Sequence, residues 1–291
     1  MKGTFRYQRG GHWFKGNTHI HSTCSDGGKT IAELEAMYAG RGYDFLFRTD
    51  HWHASDVAAE KGRRPPLLWM DGVELDGRDD GGRRYHVVAL GTFRGIRREM
   101  GFTAAMKSAR RQGGLLIAAH PLWMGNLPED IWHWRFDGVE VYNHVCQWLN
   151  GKGDGLAYWH FGLARNPGLL GLAADDAHLR AEHPGWDGGW IMVQAPKCTR
   201  AAILAAIRRG QFYSSCGPSF TAIERRGRTI RVKTSPVRFL RLVGPASNGR
   251  RCGAFRGRML TGATFEIPPE WPYAYVEIED GRGRRAWTNT L

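Results

Sequence analysis

Short apolar runs alternating with end-capped amphipathic segments constrain this chain more than any other feature. Eight such runs precede residue 214: Phe14–Ile20, Tyr43–Thr49, Leu67–Val73, Tyr85–Leu90, Leu115–Ala119, Gly138–Tyr142, Leu169–Ala174 and Trp190–Gln194. Several are separated by helices with legible ends. Thr30-Ile-Ala-Glu33 is a capping box, Ile31, Leu34 and Tyr38 share one face, and Gly40 and Gly42 stop the helix. Thr103 through Gln112, closed by Gly113-Gly114, and Thr199 through Arg209, closed by Gly210, read the same way. This alternation predicts an α/β fold with a mostly parallel sheet, open or closed into a barrel.

After Pro218 the texture changes. Short alternating runs (Ile230–Val232, Phe239–Val243, Ala263–Ile267, Tyr273–Ile278, Ala286–Thr288) are separated by Gly, Pro, Asn and Asp turns, the pattern of a small antiparallel β appendage. The expected division is a domain over 1–218 and an appendage over 219–291, packed together. The formal net charge is +13, and the appendage holds 14 Lys and Arg against 6 Asp and Glu. Such a basic segment suits nucleic acid or an anionic surface. A solvated Arg-rich surface is the simpler reading, because Arg outnumbers Lys throughout the chain.

A hydrophobic content of 42% in 291 residues supports a full core and argues against disorder. The opening Met-Lys-Gly-Thr-Phe-Arg-Tyr lacks the apolar run of a signal peptide, and no stretch reaches membrane-spanning length, so a cytoplasmic enzyme is expected. Five scattered cysteines with no CxxC pair exclude a disulfide framework and a Cys-type zinc finger. Cys24, between His21 and Asp26, is expected to be partly buried.

The chemistry-bearing residues recur at the ends of these runs. His19 and His21 are two apart in an extended segment, so both imidazoles face one way, and Asp176 and His178 repeat the spacing. His51 follows the second run, Glu74 the third, His86 lies in the fourth, His120 ends the fifth and Glu140 lies in the sixth. Strand ends of βα units are where barrel enzymes gather catalytic groups. Mixed His and carboxylate sets suit Zn²⁺, Mn²⁺ or Fe²⁺, and their number implies two or three ions. A carboxylate such as Glu74 can bridge a pair of ions about 3.5–4 Å apart, which would supply a metal-bound hydroxide nucleophile. Neither a G-x-S-x-G elbow nor a Walker P-loop is present.

The segments Gly16-Asn-Thr-His-Ile-His-Ser-Thr-Cys-Ser-Asp-Gly27, Thr-Asp-His51, Gly-Val-Glu74, His86, Ala-His-Pro121, Val-Glu-Val-Tyr-Asn143 and Ala-Asp-Asp-Ala-His178 together resemble the polymerase and histidinol phosphatase (PHP) superfamily. Val-Glu-Val-Tyr-Asn143, Gln211-Phe-Tyr-Ser-Ser-Cys-Gly-Pro218 and Trp287-Thr-Asn289 resemble its CehA/McbA-type branch, which includes carbaryl hydrolase. The resemblance implies a distorted (β/α)7-type barrel with up to three metals. By motif, His19, His21, Glu74 and Asp176 would hold one ion, Glu74, His86 and His120 a second, and Asp26, His51 and His178 a third. His86 is the weakest member, because a core histidine fits its strand equally well. Glu140 and Asn143 would support ligands or touch substrate, and Asp175, facing away from Asp176, would be structural. Trp159 followed by His160, and Arg48 before Thr-Asp-His51, depart from the branch's usual residues. Trp123, Trp132, Trp134 and Trp148 would wall an apolar pocket or pack a long loop, with packing preferred.

These residues point to a metal-dependent hydrolase acting on a small, anionic substrate, foremost a phosphoesterase acting on a small phosphate ester or nucleotide. A carboxyl or carbamate ester hydrolase is the alternative. A nucleic-acid-binding protein with a structural metal site is the reading from a different class.

Overall fold

The computed structural model describes residues 6–7, 11–57 and 66–291. The amino-terminal run read above for a leader includes residues 1–5, which lie outside that range. The fold opens with β1 (His12–Asn17), α1 (Ile31–Ala39), β2 (Phe45–Arg48), β3 (Leu68–Arg78) and β4 (Arg84–Leu90). It continues through α2 (Phe102–Arg111), β5 (Leu115–Ala118), the one-turn helices α3 (Pro121–Met124) and α4 (Asp130–His133), and β6 (Gly138–Asn143). Next come α5 (His144–Asn150), α6 (Leu156–Leu163), β7 (Leu170–Ala174), β8 (Trp190–Ala195), α7 (Arg200–Arg208) and β9 (Phe212–Ser215). The tail forms β10 (Phe220–Arg226), β11 (Thr229–Val237), β12 (Phe239–Val243), β13 (Gly249–Gly253), β14 (Leu260–Glu266), β15 (Tyr275–Glu279) and β16 (Arg285–Thr288).

Local chemistry explains the helix starts. At α1 the Thr30 side chain accepts from Glu33 N–H at 3.3 Å while Glu33 accepts from Thr30 N–H at 2.8 Å, a reciprocal cap. Thr199 caps α7 by accepting from Ala202 N–H, and Ile203, Ala206 and Ile207 form its buried face. This face packs into a cluster with Phe45, Phe47, Val88, Ile117, Leu172, Ile191 and Val193.

The sheet departs from the mostly parallel expectation. Among the described residues, thirteen strands run in the order β13-β12-β15-β16-β9-β8-β1-β2-β3-β4-β5-β6-β7. The β1–β2, β2–β3, β5–β6 and β6–β7 pairs are parallel, but β3–β4, β4–β5, β1–β8 and β8–β9 are antiparallel. For the β3–β4 pair the cause is the short link between the strands, where Asp79 Oδ1 accepts from Gly81 and Arg83 N–H and Gly82 takes φ 78. A link of that length holds a hairpin turn and no crossover helix. The sheet is therefore large and mixed, and its strand pairing does not describe a closed (β/α)7 barrel.

It is nonetheless strongly curved. Seven strand spacings of about 4.8 Å would put β7 roughly 34 Å from β8 in a flat sheet. Instead, Leu170 and Leu172 of β7 share one core cluster with Ile191 and Val193 of β8. Ser214 of β9 accepts from Ala173 N–H at 3.0 Å and donates to Gly171 O at 2.8 Å. The chain beyond β1 and the chain beyond β7 also meet, in a parallel bridge between Ile20 and Ala177. That convergence brings His19, His21, Asp176 and His178 together.

The tail is antiparallel, as expected, and part of it joins the main sheet through β16 beside β9. β10, β11 and β14 form a separate three-stranded sheet. Its Ile223, Ile230, Val232 and Phe265 pack with Leu240, Leu242, Val276 and Ile278 of the large one. Among the described residues no helix is long and apolar enough to cross a membrane.

Candidate metal centre

Each candidate ligand is delivered by a strand or the turn just beyond one, except Asp26, which lies in the loop between β1 and α1. His19 and His21 flank the bridge residue Ile20 past the end of β1, and their Nε2 atoms converge to 3.2 Å. His51 bridges in parallel to Glu74. Glu74 sits inside β3 and not at a strand end, because β3 runs on into the hairpin, and His86 faces it from β4. His120 and Asp176 hold positive φ values of 29° and 57°, and Trp52 and Leu179, which follow His51 and His178, do the same. Such non-glycine conformations cost about 1–3 kcal/mol each and persist where the surroundings enforce them. Asp176 and His178 therefore converge through a left-handed turn, in place of the extended spacing read from the sequence.

Glu74 is the hub. Its Oε2 lies 3.1 Å from both His19 Nε2 and His21 Nε2 and 3.3 Å from His51 Nδ1. Its Oε1 lies 2.8 Å from His86 Nδ1 and 3.4 Å from His120 Nε2. Asp176 Oδ1 stands 3.2 Å from His19 Nε2 and 3.1 Å from His21 Nε2. On the outer side, Asp26 approaches His178 Nε2 at 3.4 Å, His21 Nδ1 at 3.6 Å and His51 Nε2 at 3.9 Å. Among the described residues the potential ligand atoms form four compact groups: His19, His21, Glu74 and Asp176; Glu74, His86 and His120; His21, Asp26, His51 and His178; and His120, Cys146 and Asp176. The first two coincide with the sets implied by the sequence resemblance, and the third adds His21 to one.

The donor atoms fit divalent ions. His21 Nδ1, His51 Nδ1, Glu74 Oε2 and His120 Nδ1 are buried and make no aligned hydrogen bond. A carboxylate oxygen close to imidazole nitrogens yet not bonded to them suits lone pairs aimed at a shared cation. The electrostatics agree. Burial opposes protonation of His19, but Asp176, Glu74 and Glu140 outweigh it and hold its pKa well above the ordinary value. Burial likewise opposes the charge on His21, yet Asp176 and Glu74 raise it to about 9. Against its own desolvation, the Glu74 carboxyl is held well below its usual range by His19, His51 and His86.

Glu140 and Asn143 lie behind the ligands. Glu140 Oε1 takes His19 Nδ1 at 2.7 Å, and Oε2 accepts from His120 N–H and Asn143 Nδ2, each at 2.9 Å. Asn143 also accepts from Cys146 N–H and so caps α5. Asp175 accepts from Asn17, Tyr38 and the Gly188 and Gly189 amides, the structural position expected of it. Trp159 is fully buried, and His160 meets the Tyr275 hydroxyl in the tail. Arg48 Nη2 lies 3.9 Å from Cys24 Sγ, and Cys24 is exposed where partial burial was expected.

Sequence reasoning missed Asp76, Cys146 and His183. Asp76 Oδ1 is 3.1 Å from His51 Nδ1, and against the pull of burial His51 and Arg98 lower its pKa to about 2. Its spacing of two from Glu74 on one strand was the available signal. Cys146 and His183 carry no such spacing. With Trp123, Val145 and Leu149 they line a cavity of about 200 Å³ over Asp26, His51, Glu74, His86, His120, Asp176 and His178. Of the four tryptophans weighed above, Trp123 edges His86 and His120, Trp132 stacks on Phe161, Trp134 packs on the core and Trp148 is exposed.

A mixed α/β fold carrying a buried, carboxylate-bridged histidine cluster defines the class: a scaffold with the donors for divalent metal. Comparison with known proteins adds relatives in fold and in part of the sequence. Over 98% of this chain and 97% of the other, the fold matches a two-domain protein from Bacteroides vulgatus ATCC 8482 that contains a predicted PHP-like metal-dependent phosphoesterase, at a TM-score of 0.56 and 16% identity. The phosphoribosyl 1,2-cyclic phosphate 1,2-diphosphodiesterase of Eggerthella lenta is 34% identical over 80 residues, 26% of this chain. The match spans 30% of that relative's length. No family model matches the chain.

Proposed function

We propose that this chain is a PHP-type metal-dependent phosphoesterase acting on a small phosphate ester or nucleotide. One observation carries the reading: the two oxygens of Glu74 face separate histidine pairs, His19/His21 at 3.1 Å and His86/His120 at 2.8 and 3.4 Å. That is how a carboxylate bridges two adjacent ions. His19, His21, Glu74 and Asp176 would hold one ion, Glu74, His86 and His120 a second, and Asp26, His51 and His178 a third. Mn²⁺, Zn²⁺ and Fe²⁺ suit these donors. Closure of the curved sheet as a distorted (β/α)7 barrel, and the division at residue 218, belong to the same proposal.

Bound divalent ions supply Lewis acidity toward the phosphoryl oxygens and acidify a water. The chain does the rest. Glu140 fixes His19 with Nε2 facing Glu74, and Asn143 holds Glu140 in place. Trp123, Val145 and Leu149 exclude water from one wall of the cavity. Arg180, with Nη2 3.6 Å from Asp26, adds positive charge at the edge of the site. Three divalent ions together with Arg180 would outweigh the carboxylates of Asp26, Glu74, Asp76, Glu140 and Asp176, which favours an anionic substrate over a neutral one.

The apolar wall supports a second reading, a carboxyl or carbamate ester hydrolase of the carbaryl-hydrolase type. Protein loaded with Mn²⁺, Zn²⁺ or Fe²⁺ and assayed on p-nitrophenyl phosphate, its bis ester, 1-naphthyl acetate and a 1-naphthyl carbamate separates the two. Phosphate esters alone should turn over. Turnover of the naphthyl esters alone would replace the first reading with the second, and no turnover with any metal would defeat both.

A further inference from the structure

Cys146 stands in the wall of the metal cavity with no part in the proposed reaction. It lies in α5 directly behind the Asn143 cap, and its Sγ is 4.0 Å from Asp176 Oδ2. His120, Cys146 and Asp176 each offer a ligand atom within 4.8 Å of the other two, and all three residues are buried. His120 is only 3% exposed, and its Nε2 stands 3.6 Å from the same Asp176 Oδ2 that the thiol approaches. The thiol is therefore part of a compact His–Cys–carboxylate set, the donor mixture that favours zinc and other thiophilic ions.

We propose that Cys146 is a metal ligand of this chain, binding through sulfur the ion that Glu74, His86 and His120 would hold, beside Asp176. This rests on the metal-centre reading above and adds a soft donor to a set otherwise made of nitrogen and oxygen. When the ion binds, the Cys146 S–H bond breaks, an S–metal bond forms and the proton passes to buffer; no oxidation occurs. A thiolate at this position makes zinc or cadmium, and not magnesium, the ion retained beside His120. Thiolate donation also makes that ion a weaker Lewis acid than one held by nitrogen and oxygen alone.

X-ray absorption at the zinc edge tests the assignment on the full chain, without an activity readout. Zinc–sulfur and zinc–nitrogen distances differ, about 2.3 Å against about 2.0–2.1 Å, so a sulfur shell is resolved directly. The zinc-loaded wild-type protein should show that shell. Cys24→Ser, the control for the exposed cysteine near the site, should keep it, and Cys146→Ser and Cys146→Ala should lose it while retaining zinc. A wild-type protein that carries zinc in a nitrogen and oxygen shell alone overturns the proposal, whether or not the Cys146 variants fold. A sulfur shell that survives in a folded Cys146 variant overturns it as well. Failure to retain any zinc after gel filtration would instead sink the metal-centre reading itself.

Discussion

Replacing Glu140 separates metal positioning from fold stability. Its carboxylate serves three buried donors: His19 Nδ1 on Oε1, and His120 N–H and Asn143 Nδ2 on Oε2. In Glu140→Gln the single amide oxygen can satisfy one side only. Asn143 cannot turn to compensate, because its own Oδ1 is occupied by Cys146 N–H. Either His19 loses the partner that fixes its tautomer, or two donors face an NH₂. Leaving a buried polar group unpaired costs about 1–3 kcal/mol. Losing the partner behind a ligating histidine typically weakens metal binding by about 10–100-fold. At about 1.4 kcal/mol per tenfold, that corresponds to roughly 1.4–2.8 kcal/mol, the same scale reached independently. Competition titration of zinc against a chromophoric chelator reads the affinity, and urea unfolding of the metal-free protein reads the stability. Glu140→Gln should lose one to two orders of magnitude in affinity and about 1–3 kcal/mol in stability. Glu140→Ala, which strands His19 Nδ1 and the His120 N–H and leaves Asn143 Nδ2 only its 3.3 Å bond to Asp176 Oδ2, should lose more of both. Wild-type zinc affinity in a folded Glu140→Gln would refute the claim that Glu140 orients His19.

Glu74→Ala should abolish turnover and lower the zinc bound per chain by elemental analysis; full activity would remove Glu74 from the bridging role. Asp175→Asn should destabilise the fold, because its carboxylate accepts from Asn17, Tyr38, Gly188 and Gly189, while zinc stoichiometry at low temperature stays unchanged. A loss of zinc in the folded variant would contradict the structural role of Asp175. In the metal-free protein the raised pKa of His21, about 9 against 6.5 unfolded, stabilises the fold fully below pH 6.5 and ceases to do so as pH rises through 9. His51 shifts in the same direction, and the lowered carboxylate Glu74 already contributes in full across that window. The metal-free protein should therefore lose melting temperature from pH 6.5 to 9, and the zinc-loaded protein much less. Zinc must displace these protons, so its affinity should rise with pH over the same range, with proton release measurable in weakly buffered solution. A flat melting profile for the metal-free protein would show that these histidines are not held protonated.

The candidate site was more legible in the sequence than the sheet that builds it, and the reason is physical. A metal-type side chain is chosen for its chemistry, so His19, His21, Glu74, His120 and Asp176 announce themselves wherever the chain places them. Strand direction leaves no comparable mark: α2 and α7 each lie between strands that pair antiparallel, and the β3–β4 link turns back with no helix at all. The link after β3 carries only a turn built on Asp79 and Gly82, and the same apolar texture that predicted a parallel neighbour makes a hairpin instead. That hairpin also rescues His86. On a parallel strand in a βα unit, a mid-strand histidine would point into the core or onto a helix. On the antiparallel β4 it faces β3, where its Nδ1 reaches Glu74 Oε1 at 2.8 Å. Asp76 follows from the same geometry: two residues beyond Glu74 on a strand prolonged by the hairpin, it meets His51 on the face Glu74 occupies. Cys146 had no route into such an inference. Its approach to Asp176 depends on α5 starting at the Asn143 cap, and on a left-handed turn at Asp176 that extended spacing cannot foresee. What local pattern supplies is the inventory of donors; which of them share an ion is decided by the turns that break the pattern.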